Sequence, residues 1–192
     1  MSAAQAAALA QAVRERANIL VAGGTSTGKT TLTNALLGVA ATTGDRIILI
    51  EDTRELRCDA ANVVALRTAP GVTLGDLVRS CLRLRPDRIP VGEVRGAEAL
   101  DLLKAWGTGH PGGIGTIHAG TATATLHRLE QLILEAVPSV PRPLIAETID
   151  VIAVLSGRGT QRRLTELIRV DGLDAHGSYR LVPLTPPNGD HA

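Results

Sequence analysis

Short apolar runs alternate with longer stretches whose apolar residues recur every three or four positions. Residues 2–17 are good helix formers and predict a helix. The run 18–22 (NILVA) ends in Gly23-Gly24 and predicts a buried strand entering a turn. Leu32, Ala35, Leu36, Val39 and Ala40 then mark a helix face, and 46–50 (RIILI) a second buried strand. Residues 63–67 predict a third. Leu74, Leu77, Val78, Cys81 and Leu82 form one face of a helix with Thr73 as N-cap and Asp76 placed to complete a capping box. Segment 88–92 is the next strand, followed by a helix with Leu100, Leu103 and Trp106 on one face, stopped by Gly107 and Gly109. Residues 114–118 are again strand-like. A long helix carries Leu126, Leu129, Ile133 and Ala136 and is broken by Pro138, Pro141 and Pro143. Residues 150–155 predict another strand, and 162–170 and 179–182 an antiparallel hairpin. Strands alternating with helices predict an α/β fold: a mostly parallel sheet with helices on both faces and a C-terminal antiparallel extension.

The 192 residues suit one domain, expected over 1–182, with the Pro-rich stretch 183–192 read as a disordered tail. There is no Phe, one Trp and one Tyr, so aliphatic residues must fill the core. The net charge of +1, with 20 basic and 19 acidic residues, lacks the basic excess that holds nucleic acid by charge, and sequence-specific nucleic-acid binding is not expected. Arginines cluster between Arg79 and Arg95, but Asp87 and Glu93 lie among them. Cys58 and Cys81 have no metal-ligand spacing and read as reduced packing residues. No stretch is apolar enough to span a membrane. Arg14 and Arg16 follow the apolar N-terminal stretch, the reverse of a signal peptide.

The chemistry starts at Gly23-Gly24-Thr25-Ser26-Thr27-Gly28-Lys29-Thr30, which fits G-x-x-x-x-G-K-[ST] between a buried strand and an amphipathic helix. Glycines let the backbone wrap a phosphate, and the amides converge on it at the positive end of the helix. The expectation is ATP with Mg²⁺, bound by Gly23 to Thr31: Lys29 on the β- and γ-phosphates, Thr30 on the metal. Two further strand ends are acidic, at Glu51-Asp52 and at Glu93. In an open α/β sheet ligands bind beyond the carboxyl ends of strands, so both face the nucleotide. One acid is expected to orient or deprotonate water, the other to hold the metal's water shell. His118, also at a strand end, can donate a hydrogen bond near the terminal phosphate. His127, His176 and His191 carry no motif.

Taken together, Gly-Gly-Thr-x-x-Gly-Lys-Thr-Thr, Ile-Glu-Asp-Thr, Arg-Pro-Asp-Arg-x-x-Val-Gly-Glu-Val-Arg-Gly and Gly-His-Pro-Gly-x-x-x-Thr-x-His-Ala resemble the hexameric traffic ATPases of type IV secretion and conjugal DNA transfer, most of all their TrbB-type branch. The likeness covers most of residues 1–180, and the set is specific where each piece except the first is weak. It implies a RecA-like P-loop NTPase. Lys29 and Thr30 match the Walker A pair. Glu51 and Asp52 match an acidic box whose Glu polarises water. Glu93 matches the Walker B acid, acting on the metal through water. His118 matches the histidine of a later box that begins at His110. Arg85, Arg88 and Arg95 match arginines flanking Walker B, facing a neighbour or the acidic groups. The catalytic set is therefore Glu51, Glu93 and His118. The resemblance further implies a homo-hexamer working with other channel subunits, cytoplasmic and peripheral at the inner membrane.

Two departures bear on activity. The family carries an N-terminal domain that supplies arginines to the phosphates; this sequence opens on the helix before the P-loop strand, so the expectation is that the domain is lacking and hydrolysis weak. Pro90 stands where the family has an aliphatic residue in the Walker B strand, and is expected to loosen it and blur Glu93. The rival readings are a type II secretion or pilus-motor ATPase, which shares the boxes, and a catalytically weak nucleotide-binding assembly subunit.

Overall fold

The computed structural model describes residues 1–184. Its strands are β1 (Ile19–Gly23), β2 (Ile47–Glu51), β3 (Val63–Arg67), β4 (Ile114–Ile117), β5 (Val151–Ser156), β6 (Arg163–Leu173) and β7 (Tyr179–Pro183). The helices are α1 (Ala3–Arg14), α2 (Lys29–Ala40), α3 (Leu74–Cys81), α4 (Glu98–Gly107), α5 (Ala122–Leu134) and α6 (Arg142–Thr148). Strands β4-β1-β5-β6-β7 form one ladder and β2-β3 another. Segment 88–92 lies between β2 and β4, joined to both by parallel bridges at Ile47–Arg88, Ile50–Val91 and Val91–Gly115. The order is thus β3-β2-(88–92)-β4-β1-β5-β6-β7. It is parallel through β5 and antiparallel at β6 and β7.

Segment 88–92 was expected to be a strand that Pro90 loosens, and it joins its neighbours through isolated bridges instead of a continuous ladder. Ile48 N donates to Arg88 O (3.0 Å), Ile50 N to Pro90 O (2.9 Å), and Gly92 N to Ile50 O (2.8 Å). The missing rung is a donor at position 90 to the carbonyl of Ile48, and proline has none. Ile48 is fully buried, so water cannot take its place.

The strands look uniformly apolar in sequence because alternate residues serve two cores. Leu20, Ala22, Ile48, Ile50, Ile152 and Val154 face the side covered by α3, α4, α5 and α6. Ile19, Val21, Ile47, Leu49, Val151 and Ala153 face the side of α1 and α2. The expected α/β architecture with helices on both faces therefore stands. Aliphatic residues dominate both cores. The single Trp106 is buried over Gly113, whose added Cβ would lie 2.0 Å from the indole, and its Nε1 donates to Ile89 O (2.9 Å).

Polar anchors close the end of the sheet opposite the strands' carboxyl termini. Asn18 accepts from Gly112 N and Gly113 N and donates from its side chain to Thr148 O, tying β1 to the bases of β4 and β5. Arg88, fully buried, gives Nε to Asp45 (2.5 Å) and Nη1 to Val13 O (2.8 Å), and Arg16 pairs with the same Asp45.

Several local expectations change. The capping box at Thr73 and Asp76 forms, but Leu82 lies past the end of α3 and is exposed. On α2, Leu37 is buried and Ala35 is exposed. Ala136 falls just beyond α5 and is exposed. The prolines after α5 do not leave a plain loop: Pro143 sits in the first turn of α6, where a proline costs no hydrogen bond. Pro183 belongs to β7, paired with Ile168; of the stretch read as a tail, 185–192 lies outside the described residues, as does His191. Both cysteines are free, and burial pushes the Cys81 thiol up to about 11, consistent with inert packing. Among the described residues no helix is long and apolar enough to cross a membrane.

Candidate active site

The carboxyl ends of β1, β2, segment 88–92 and β4 converge on one cavity of about 300 Å³. From β1 the chain turns sharply into α2. Gly23 is required there, since a Cβ would lie 2.5 Å from Thr27 Oγ1 and 2.7 Å from Leu155 O. Ser26 and Gly28 adopt positive φ (64° and 99°), which curls the loop so that its amides face inward at the head of α2. Thr27 Oγ1 donates to Gly24 O (2.9 Å) and staples the curl. Lys29, buried, lies back across the loop and donates to Gly23 O (3.0 Å) and Gly24 O (3.1 Å). Burial pulls its ammonium below the ordinary lysine value, and Glu93 and Glu55 partly offset this.

Glu93, at the end of segment 88–92, is held in place despite Pro90. Gly92 N donates to Ile50 O and Val94 N to Thr116 O, both at 2.8 Å, so rungs on either side fix the backbone at 93. The lost rung lies three residues upstream of Glu93. Glu93 Oε1 is 2.8 Å from His118 Nε2, which is also 3.4 Å from Lys29 Nζ. One ring nitrogen thus serves two neighbours. With its proton it donates to Glu93; without it, it can accept from Lys29.

Glu51 behaves differently. It is buried, its Oε2 accepts from Glu55 N (3.0 Å) and Leu56 N (2.9 Å), and Arg67 Nε lies 3.4 Å from Oε1. The carboxylate lines the cavity while it organises the loop after β2. Asp52 pairs with Arg95, whose Nε lies 3.6 Å from Glu93 Oε2. Of the other two arginines singled out, Arg88 is the structural anchor described above and Arg85 is exposed outside the site. His110 is also elsewhere, with Nδ1 2.9 Å from Pro86 O.

The structure thus brings together Thr25, Ser26, Lys29, Thr30, Glu51, Glu93 and His118 around one cavity. Gly24, Gly28 and Thr31 line a second cavity of about 230 Å³ on the other side of the loop, while Gly23 and Thr27 shape the loop itself. Two residues escaped the sequence reading. Glu55 accepts from the Thr30 hydroxyl (3.1 Å), and Arg162 donates from Nε to Ser26 O (3.1 Å). Glu55 is one acid among several in a polar run. Arg162 is remote in sequence, and nothing local marks it.

A Mg²⁺ ion fits the donor set. Thr30, Glu93 and Glu55 offer hard oxygens, and a nucleotide-bound Mg²⁺ takes most of its ligands from phosphates and water. Among the described residues no group of three or more His, Cys, Asp or Glu side chains forms a preassembled metal cluster. A polyphosphate fits the inward-facing amides and Lys29, whose carbonyl partners are the kind it can exchange for phosphate oxygens.

A family profile described as "Type II/IV secretion system protein" matches residues 1–166. The chain is 48% identical over 174 residues to "Conjugal transfer protein TrbB" of Rhizobium radiobacter, covering 90% of this chain and 54% of that one. It is 42% identical over 182 residues to "Type IV secretion system protein PtlH" of Bordetella pertussis, covering 85% and 53%. Among solved structures it is similar to the VirB11 ATPase of the Brucella suis type IV secretion system in complex with sulphate, with TM-score 0.79, 37% identity, and coverage of 84% of this chain and 50% of that chain. It is also similar to the pilus retraction motor PilT with bound ADP, with TM-score 0.65, 28% identity, and coverage of 93% and 50%. The chain spans about half the length of the curated relatives it matches. The fold is the RecA-like one these ATPases share, and with the profile running over most of its length, the chain belongs to the type II/IV secretion system protein family.

Proposed function

We propose that this chain is the ATP-binding and ATP-hydrolysing core of a motor subunit in a type IV secretion or conjugal DNA-transfer system. The observation that carries the reading is the convergence of Lys29, Thr30, Glu93 and His118 on one cavity at the mouth of the curled loop. The conjugal branch is favoured over the pilus-motor branch because identity to the TrbB relative exceeds that to PilT, 48% against 28%. On this reading the subunits form a homo-hexamer at the cytoplasmic face of the inner membrane, with other channel subunits as partners and without sequence-specific nucleic-acid contacts.

The geometry supports the following roles. The amides from Thr25 to Thr31 receive the phosphates, with Gly23, Gly24 and Gly28 permitting the close approach. Lys29 exchanges its carbonyl partners for β- and γ-phosphate oxygens. Mg²⁺, when bound, offsets phosphate charge; Thr30 would hold it directly and Glu93 through water. Glu93 accepts from His118 when Nε2 carries the ring's proton, so this acid senses the protonation of the ring. Glu51 commits Oε2 to two loop amides and keeps Oε1, which faces Arg67 at 3.4 Å, to orient water. A second reading, a nucleotide-binding assembly subunit with weak turnover, draws on the share of this carboxylate that the loop holds.

Calorimetric titration with ATP and Mg²⁺ tests the assignment. Lys29→Ala removes a charge-assisted contact worth about 1.5–3 kcal/mol, so affinity should fall at least about tenfold. Unchanged affinity would refute the loop's role. Binding by the wild type without phosphate release would select the assembly-subunit reading.

A further inference from the structure

Resting on the ATP-binding reading, we infer that Arg162 is a ligand of the nucleotide's phosphate chain, contacting it on the nucleoside side of the loop. The two sides of the P-loop differ in charge. The 300 Å³ cavity sets four carboxylates, Glu51, Asp52, Glu55 and Glu93, against Lys29, Arg95 and His118, a net acidic setting for a metal and the terminal phosphate. The 230 Å³ cavity is walled by Gly24, Ser26, Gly28, Lys29, Thr30 and Thr31, and its one side chain from outside the loop and its helix is Arg162. A phosphate chain lying along the loop with its terminal group among the acids must run toward Arg162.

Arg162 is held ready for this contact. Its Nε donates to Ser26 O at 3.1 Å, and its Cδ lies 3.5 Å from where a Cβ on Gly28 would stand, so the side chain lies along the loop. Among the described residues its Nη groups take part in no hydrogen bond or ion pair. Both Nη nitrogens, with four N–H donors between them, are therefore free beside the converging amides. Arg158 and Arg163 flank it and likewise form no ion pair, which makes this lip of the site positive.

The backbone that presents Arg162 is braced by local contacts. It follows the 3₁₀ turn Gly159–Gln161, closed by Gln161 N to Arg158 O at 3.0 Å. Gly157 packs so tightly on that turn that a Cβ would lie 2.1 Å from Gln161 O. Just beyond, the β5–β6 pairing slips by one residue: Val154 pairs with Glu166, Leu155 with Leu164, and Thr165 is the extra residue. A bulge beside a site re-aims the side chains that leave it. The planar guanidinium suits bidentate phosphate contact, and lysine could not reproduce both the clamp on Ser26 and the contact.

The test uses the chain as given, with Arg162→Ala, Arg162→Lys and Lys29→Ala. Affinity is measured for ADP with Mg²⁺ by calorimetry and for inorganic phosphate by NMR titration, beside the melting temperature without ligand. Arg162→Ala should weaken ADP roughly ten- to a hundredfold, as expected for charge-assisted contacts. It should leave inorganic phosphate, which needs only the amides and Lys29, and the ligand-free melting temperature nearly unchanged. Arg162→Lys should recover part of the loss. Unchanged ADP affinity in Arg162→Ala overturns the inference. So does an equal loss for ADP and phosphate, which would mean that Arg162 only braces the loop. Either result beside a normal Lys29→Ala defect leaves the ATP-binding reading intact, whereas a wild type that binds no ADP overturns both.

Discussion

Pro90→Val restores an N–H directly opposite the orphaned carbonyl of Ile48, with a side chain of similar volume. Three terms decide the outcome. A buried carbonyl without a partner costs about 1–3 kcal/mol, and Ile48 is fully buried. The flanking rungs at 3.0 and 2.9 Å already hold the two backbones at bonding distance, so the new bond forms without rearrangement. Against this, removing proline frees the unfolded chain and costs about 0.4–1 kcal/mol. The net is a gain centred near 1 kcal/mol, or a rise in melting temperature of about 3 °C for a chain of this size. Thermal unfolding followed by circular dichroism reads the shift. Hydrogen exchange reads the mechanism, since the new amide at 90 should be as protected as its neighbour at 91. A lower melting temperature, or a rapidly exchanging amide at 90, would refute the assignment of the missing rung.

Glu93→Gln should keep ADP affinity within about threefold yet lower any phosphate release by roughly 10²–10³, the usual worth of one electrostatic contact to the transition state; parallel loss of binding and turnover would contradict the role given to this acid. Asp45→Asn should cost about 3–5 kcal/mol in denaturant unfolding, because it strips the buried Arg88 of its charge partner. Burial pushes the Asp45 carboxyl up, but hydrogen bonds from Arg88 and Thr43 and the charges of Arg88 and Arg16 outweigh it, and its pKa falls below the ordinary 3.8. The folded state therefore binds this proton less tightly than the unfolded one. The pair's contribution is complete above about pH 4 and lost as pH falls through the lowered value, so acid unfolding of the wild type should be steeper there than that of the variant.

The local parts of the fold were legible because local chemistry dictates them. The capping box at Thr73 and Asp76 and the P-loop between β1 and α2 are each settled by a few adjacent residues. Segment 88–92 was legible as an element, and Pro90 announced its missing rung; that the carbonyl of Ile48 loses it shows only when the partner strand is known. Helix α6 was hidden because Pro143 reads as a breaker until its place in the first turn is seen. In the site, the motif spacing placed Lys29, Glu93 and His118 together. It could not tell that Glu51 spends its carboxylate on the amides of Glu55 and Leu56, because backbone donors leave no trace in side-chain identity. Arg162 was illegible for a different reason: its contact with Ser26 depends on a one-residue bulge in a distant strand pair.

The place of β1 also sets the order in which the chain can become a protein. Its partners are β4 and β5, with Ile19 paired to Ile114 on one edge and to Val151 on the other. During synthesis β1 leaves the ribosome well before either of its partners. At ~5–20 residues per second, β1 waits on the order of ten seconds for its second edge. Throughout that interval an entirely apolar strand has two open edges, the template on which unrelated chains pair. The phosphate-binding loop cannot be assembled earlier, because Gly23 closes against Leu155 of the last parallel strand. The loop's final shape is therefore reached only after β5 has docked, and a chain stalled before β5 lacks that shape and is prone to aggregate.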